Sequence, residues 1–212
     1  MNIAFIGYGQ VGGALATRLQ TLGHHVTLAT KDPNSPKALA ALARHSGLKA
    51  LAPELAVHNA EIVFLATPFM ANEAALSGLK DALRGKVLVD CTNPIGAGFK
   101  HGLNNVQSGT EWLQSMLPET RVVKAFTIYG FENFENNQYP GYNVKPAMLF
   151  CGNDAGAKLA VSQLIEELGW QPMDVGGADQ ALHLEHMTIM WVKYVRVQGH
   201  APGLVWAALA KN

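Results

Sequence analysis

Residues 2–12, Asn2-Ile3-Ala4-Phe5-Ile6-Gly7-Tyr8-Gly9-Gln10-Val11-Gly12 ("NIAFIGYGQVG"), decide how the rest of the chain is read. An apolar run of strand character leads into Gly7, Gly9 and Gly12 at G-x-G-x-x-G spacing. A helical pattern, "QVGGALATRLQTLG" (10–23), follows at once. Gly7 permits a tight turn, Gly9 lets the backbone approach a diphosphate, and Gly12 lets helix and strand pack closely. The diphosphate would rest on free N–H groups at the helix N-terminus, with Tyr8, Gln10 and Val11 completing the cofactor-binding loop. A glycine-rich turn alone is weak evidence, because tight packing asks for the same residues. The strand before it, the helix after it and a second strand, "HVTLAT" (25–30), at the expected distance give it weight.

Outward from this unit, apolar runs alternate with helical patterns. "SPKALAALARHSG" (35–47) precedes "EIVFLATP" (61–68), counted as the fourth strand, and "MANEAALSGLKDALRG" (70–85) follows it. The fifth strand, "KVLVDCTNP" (86–94), leads through a loop to "GTEWLQSML" (109–117). "RVVKAFT" (121–127), "AMLFCG" (147–152), "DAGAKLAVSQLIEELG" (154–169) and a short "PMDVG" (172–176) complete the series. Strands so uniformly apolar are expected to be covered on both faces. Alternating strand and helix predicts an α/β fold with a doubly wound, mostly parallel sheet of Rossmann type. Residues 1–176 form this domain, and 177–212 form a short helical, aromatic segment packed on it or on a second subunit.

Two stretches break the rhythm: 93–108, rich in Gly and Asn, and 129–145, "YGFENFENNQYPGYNVK". Both follow a strand's carboxyl end, where open α/β sheets bind ligands, and loops of such length are usually functional.

Composition narrows the class. Sixteen Lys and Arg balance sixteen Asp and Glu without charge runs, so nucleic acid is not an expected partner. Cys91 and Cys151 each sit in an apolar run and are expected to be buried and reduced. No segment is long and apolar enough to span a membrane, no signal-peptide pattern opens the chain, and the cytoplasm is the expected address. "HLEH" (183–186) lacks the H-E-x-x-H spacing that places two histidines one helical turn apart, so no metal is expected there.

The chain resembles the coenzyme F420-dependent NADP oxidoreductase family, the deazaflavin-linked reductases, to which the cytoplasmic domains of the STEAP metalloreductases are related. The likeness runs through residues 6–30, "LVDCTNPIG" (88–96), "VVKAFT" (122–127), "YGFEN" (129–133) and residues 151–176, followed by "LEHMTIMWV" (184–192). It implies NADP along the sheet's carboxyl edge and a flat hydride acceptor, coenzyme F420 or a flavin, stacked on the nicotinamide. Within "TLATKDP" (27–33), Thr30 and Lys31 stand where the family places a small hydroxyl residue and Arg on the 2′-phosphate. Lys lacks the bidentate fork of Arg, so a weaker NADP preference is expected. Asp32-Pro33 reads as a turn leaving the strand, with Ser35 or Asn34 capping the next helix; a strand two residues longer would make Asp32 a ribose acid and NAD the ligand.

At the nicotinamide end, Thr67 is expected as an N-cap and Pro68 as the first helical residue, with the backbone of Ala66, Thr67 and Pro68 passing the diphosphate and nicotinamide ribose. Asn93, before Pro94, can exchange hydrogen bonds with a carboxamide or ribose, or form an Asx turn instead. Ala125 closes the next strand. Thr127 stands where the family more often has Asn, Tyr129 is either core or acceptor platform, and family position puts His186 and Met187 at the acceptor pocket. Hydride transfer needs no nucleophile, and no catalytic residue is expected. Two rivals stand beside this reading. An imine or β-hydroxyacid reductase would need a large helical second domain, and a non-catalytic NADPH sensor would use the aromatic tail to bind a protein. A homodimer built on that tail is the favoured use of it.

Overall fold

A computed structural model of the chain describes residues 1–211. Its strands are β1 (Asn2–Ile6), β2 (His25–Ala29), β3 (Lys49–Leu51), β4 (Ile62–Leu65), β5 (Val87–Asp90), β6 (Arg121–Lys124), β7 (Ala147–Gly152) and β8 (Gln171–Asp174). They form one sheet in the order β3-β2-β1-β4-β5-β6-β7-β8. β1 to β6 run parallel, β7 pairs antiparallel with β6, and β8 runs parallel to β7. The expected doubly wound, mostly parallel sheet is therefore present. The helices are α1 (Gln10–Thr21), α2 (Pro36–Leu42), α3 (Pro53–Asn59), α4 (Asn72–Leu76), α5 (Lys80–Leu83), α6 (Gly109–Met116), α7 (Phe131–Glu135), α8 (Ala155–Glu167) and α9 (Ala181–Val192).

Both sheet faces are apolar because successive residues of each strand point to opposite sides. Ile3 and Phe5 join the core under α1, α8 and α9, while Ala4 and Ile6 join the core under α3 to α6. Phe5 and Phe64, paired in register, stack at 4.6 Å between ring centres. The strand order reverses at β1, which lies between β2 and β4. The helices that follow β1 and β4, α1 and α4, lie on opposite faces of the sheet, the arrangement at which open α/β sheets bind ligands at the carboxyl edge.

The structure differs from the sequence reading at several elements. β3, three residues long, and α3, seven, are too short to leave a periodic signal in the sequence. The helix expected over 70–85 is broken into a 3-10 turn, α4 and α5. Thr67 does not cap it: the 3-10 turn starts after Pro68, and the Thr67 hydroxyl instead donates to Asn72 Oδ1 at 2.6 Å. The stretch 129–145 contains α7. The C-terminal segment is helical through α9 and a π-turn over Lys193–Val197, and no regular element follows in 198–211. Leu184, Trp191 and Val195 of this segment sit in the same core as β1 and α1.

Candidate functional site

Three glycines shape the turn between β1 and α1. Gly7 has φ +91°, and a Cβ there would lie 2.6 Å from the backbone C and O of Ala66; the turns after β1 and β4 touch through this missing side chain. Gly9 precedes α1, no side chain caps that helix, and a Cβ on Gly9 would meet nothing within 4 Å. The first-turn N–H groups of Gln10, which is exposed, and Val11, which is half-buried, therefore have no capping side chain, as a diphosphate site requires. Gly12 is buried against Gly7, whose carbonyl would be 2.1 Å from an added Cβ.

At its carboxyl end β2 stops at Ala29, and Thr30 is buried just beyond it. Thr30 Oγ1 accepts from the Tyr8 hydroxyl at 2.9 Å and donates to Asp32 O at 3.2 Å. Asp32 turns away from the strand: its carboxylate accepts from Asn34 N, and its carbonyl accepts from the N–H and hydroxyl of Ser35. Ser35 caps α2, as expected. Lys31 is exposed, and Lys37 Nζ lies 5.4 Å over the Tyr8 ring. Lys37 was not expected here. Its only signal was its place at the start of a helix facing the glycine-rich turn.

Beyond β4, Ala66 and Thr67 are half-buried and Pro68 is exposed; Asn72, wholly buried, links Thr67 to Thr92 through Nδ2 at 3.0 Å. Asn93 is half-buried beside Pro94. Its Oδ1 lies 3.1 Å from Thr188 Oγ1 on α9, and its Nδ2 donates to Thr127 O at 3.4 Å. The Thr127 hydroxyl is buried without a partner. Ala125 is buried behind it, and Phe126 adopts φ +56°, an uncommon conformation for a bulky residue that turns the chain sharply off β6. Thr188, also unexpected, thus joins two residues picked out from the sequence.

The acceptor-side residues divide. Met187 is half-buried against the core; His186 is exposed, with Nε2 2.8 Å from Asn105 Oδ1 and its ring edge-on to His101 at 5.5 Å. Tyr129 is corrected to a core residue. It is 4% exposed, stacks on Trp170 at 5.2 Å, donates to Ala147 O and accepts from Trp206 N. A ring this buried, stacked on Trp170 and bonded at its hydroxyl, has no surface to offer an acceptor.

Below the ends of β5 and β6 lies a buried polar network that sequence spacing did not reveal, since its members come from four elements. Lys124 Nζ is 3.3 Å from Asp90 Oδ2, 3.0 Å from Glu185 Oε1 and 2.9 Å from Thr92 O. Burial works against the Lys124 ammonium, but Asp90 and Glu185 outweigh it and raise its pKa above the ordinary lysine value. Both cysteines are buried and unpaired, as expected. Among the described residues, no group of three or more His, Cys, Asp or Glu could hold a metal ion, and no helix is long and apolar enough to cross a membrane. A cleft of about 500 Å³ lined by Asn2, His25, Lys49 and Asn59 opens at the amino edge of β1 to β3, away from the glycine-rich turn.

Comparison with known proteins follows the same lines. The family model described as "NADP oxidoreductase coenzyme F420-dependent" matches residues 2–94. The F420-dependent NADP reductase of Methanothermobacter thermautotrophicus is 32% identical over 203 residues, covering 89% of this chain and 86% of that protein. A crystal structure of a candidate F420-dependent NADP reductase from Arthrobacter sp. FB24 superposes with a TM-score of 0.84 at 31% identity, covering 95% of this chain and 96% of that one. Rat metalloreductase STEAP3 is 31% identical over 184 residues, and the chain spans 36% of its length.

Proposed function

The chain belongs to the coenzyme F420-dependent NADP oxidoreductase family, and on that premise we propose that it transfers a hydride between NADP(H) and a flat acceptor, a deazaflavin such as F420 or a flavin. One observation supports this reading: polar groups gather at the strand tips on either side of the uncapped start of α1. Lys31, Lys37, Tyr8 and Thr30 gather at the end of β2. Asn93, Thr127 and Thr188 meet beyond β5 and β6. The uncapped start of α1 lies between them.

The residues present fit the cofactor. The α1 N–H groups hold the diphosphate, and Lys31 and Lys37 supply positive charge to a 2′-phosphate beside the Thr30 hydroxyl. With β2 ending at Ala29 and Asp32 folded into its own turn, no acid faces the ribose. At the far end the orphaned Thr127 hydroxyl and the second N–H of Asn93 suit a carboxamide. His186 and Met187 border the acceptor. When bound, NADPH would supply a hydride with its electron pair, and the reduced acceptor would gain its proton from solvent after the transfer. The chain's part would be to hold the nicotinamide and the acceptor in contact and to exclude water from between them during the transfer. A cytoplasmic homodimer, with Met190, Tyr194 and Val197 in its interface, completes the proposal; these side chains are 50%, 42% and 58% exposed.

Stopped-flow mixing of NADPH-loaded protein with F420 and with FMN in parallel tests the reading. Fast reduction of at least one is expected. No reduction of either overturns it.

A further inference from the structure

The buried network below β5 and β6 contains more charge than a structural link requires. Asp90, Lys124 and Glu185 are each at most 1% exposed. Asp90 accepts from Thr92 N, Thr92 Oγ1, Thr110 Oγ1 and Lys124. Glu185 accepts from Lys124, from Gly109 N at 2.9 Å and from His101 Nε2 at 2.7 Å. The charge state of His101 follows from its other nitrogen: Nδ1 lies 3.2 Å from Leu103 N and 3.3 Å from Asn105 N, both donors. Nδ1 therefore holds a lone pair, the ring proton sits on Nε2, and the imidazole is neutral. Cys151 stays a neutral thiol beside the cluster, its pKa pushed up to about 12 by burial. One ammonium against two carboxylates leaves one formal negative charge.

Buried ion pairs are poor sources of stability, since desolvation offsets their attraction. This cluster's position suggests another role. Asp90 lies three residues before Asn93, Lys124 directly precedes Ala125, and Lys124 Nζ holds the Thr92 carbonyl. The cluster therefore underlies the two strand ends assigned to the nicotinamide.

We propose that this buried cluster is an electrostatic element of the cofactor site, whose net negative charge favours the cationic oxidised nicotinamide over the neutral reduced one and so assists hydride departure. The inference rests on the NADP(H) reading above. As the C4–H electron pair leaves for the acceptor, the nicotinamide ring gains one positive charge; the phosphates are alike in both forms and cancel in the comparison. Fixed charge placed where charge develops is an effective form of catalysis. Asn93 lies three residues beyond the end of β5, at most about 10 Å of chain, and at an effective dielectric near 20 one unit charge at that distance is worth about tenfold in an equilibrium. The N-terminus of α6, whose Gly109 N–H points at Glu185, offsets part of this. A three- to tenfold effect is expected.

The test compares dissociation constants for NADP+ and NADPH, by fluorescence or calorimetric titration, in the full chain and in Asp90→Asn, Glu185→Gln and Thr110→Val. The unmodified protein is expected to bind NADP+ at least as tightly as NADPH. Each charge-removing variant is expected to raise the ratio Kd(NADP+)/Kd(NADPH) three- to tenfold, whereas Thr110→Val, which removes a hydrogen bond from Asp90 but no charge, leaves it within twofold. A purely structural role would move both constants together. An unchanged ratio in a charge-removing variant that still binds overturns the inference. So does a tenfold or greater preference of the unmodified protein for NADPH, which decides the matter even if neither variant folds. Binding of neither nucleotide by the unmodified protein overturns the NADP(H) reading itself, and this inference with it.

Discussion

The Tyr8 hydroxyl donates to Thr30 Oγ1 at 2.9 Å, tying the glycine-rich turn to the tip of β2. Lys37 lies over the same tyrosine ring, so one aromatic side chain organises both a hydroxyl and a cation at the tip of β2, the end proposed for the adenosine. Lys31→Ala and Lys37→Ala are each expected to weaken NADPH binding about tenfold to a hundredfold, the worth of a charge-assisted hydrogen bond of ~1.5–3 kcal/mol. NADH binding should change less than threefold. Parallel titrations with the two nucleotides check this, and equal losses for both would refute the placement of the 2′-phosphate.

Gly7 and Gly9 separate folding from binding. Gly7→Ala forces a Cβ into the Ala66 backbone at a residue with φ +91°. A loss of about 2–4 kcal/mol is expected from strain and overpacking, or roughly 5–15 °C in Tm for a chain of this size. Gly9→Ala adds a methyl group to open space. Its melting temperature should fall by no more than about 3 °C, while NADPH affinity falls at least tenfold because the diphosphate can no longer approach α1. Thermal melts and nucleotide titrations on the two variants should therefore show opposite patterns.

What was legible in the sequence follows from local physics. The strand–turn–helix unit at residues 2–21 and the continuous apolar strands specify the sheet, because glycine spacing and two-sided burial leave local marks. Ser35 was identified as a cap before a helical run, and Asn93 and Thr127 because they close apolar strand-like runs. Thr188 and the Asp90–Lys124–Glu185 cluster were not, because their partners lie 20 to 95 residues away and no periodicity records such contacts. "HLEH" drew attention to the wrong atoms: His183 is exposed, and it is the intervening Glu185 that is buried and bonded to His101. Tyr129 sits on a loop beside the site, but its contact with the C-terminal segment could not be seen until residues 198–211 were placed against β7.

Tyr129→Phe tests that assignment. Loss of the hydroxyl strands the Ala147 carbonyl and Trp206 N–H, at about 1–3 kcal/mol for buried partners. A Tm decrease of roughly 3–10 °C is expected, with the acceptor KM unchanged within twofold. A large KM change at constant Tm would return Tyr129 to the acceptor pocket.

The raised acids of the core set the alkaline limit of the fold. Burial holds the Cys151 thiol up to about 12 and that of Cys91 well above its ordinary value, and it also lifts the Tyr129 phenol. In the unfolded chain a thiol ionises near pH 8.5 and a phenol near 10. Raised folded values mean that the stabilisation is fully present below the unfolded pKa values and is lost as pH climbs toward the folded ones. Tm should be flat from pH 7 to about 8.5 and fall progressively between pH 9 and 12. Cys151→Ala should flatten part of that decline while lowering Tm modestly at neutral pH. Native protein at pH 8 should resist maleimide at both cysteines, and two thiols should appear on denaturation. Rapid labelling of either in the folded state, or a Tm that holds constant to pH 11, would contradict this account of the core.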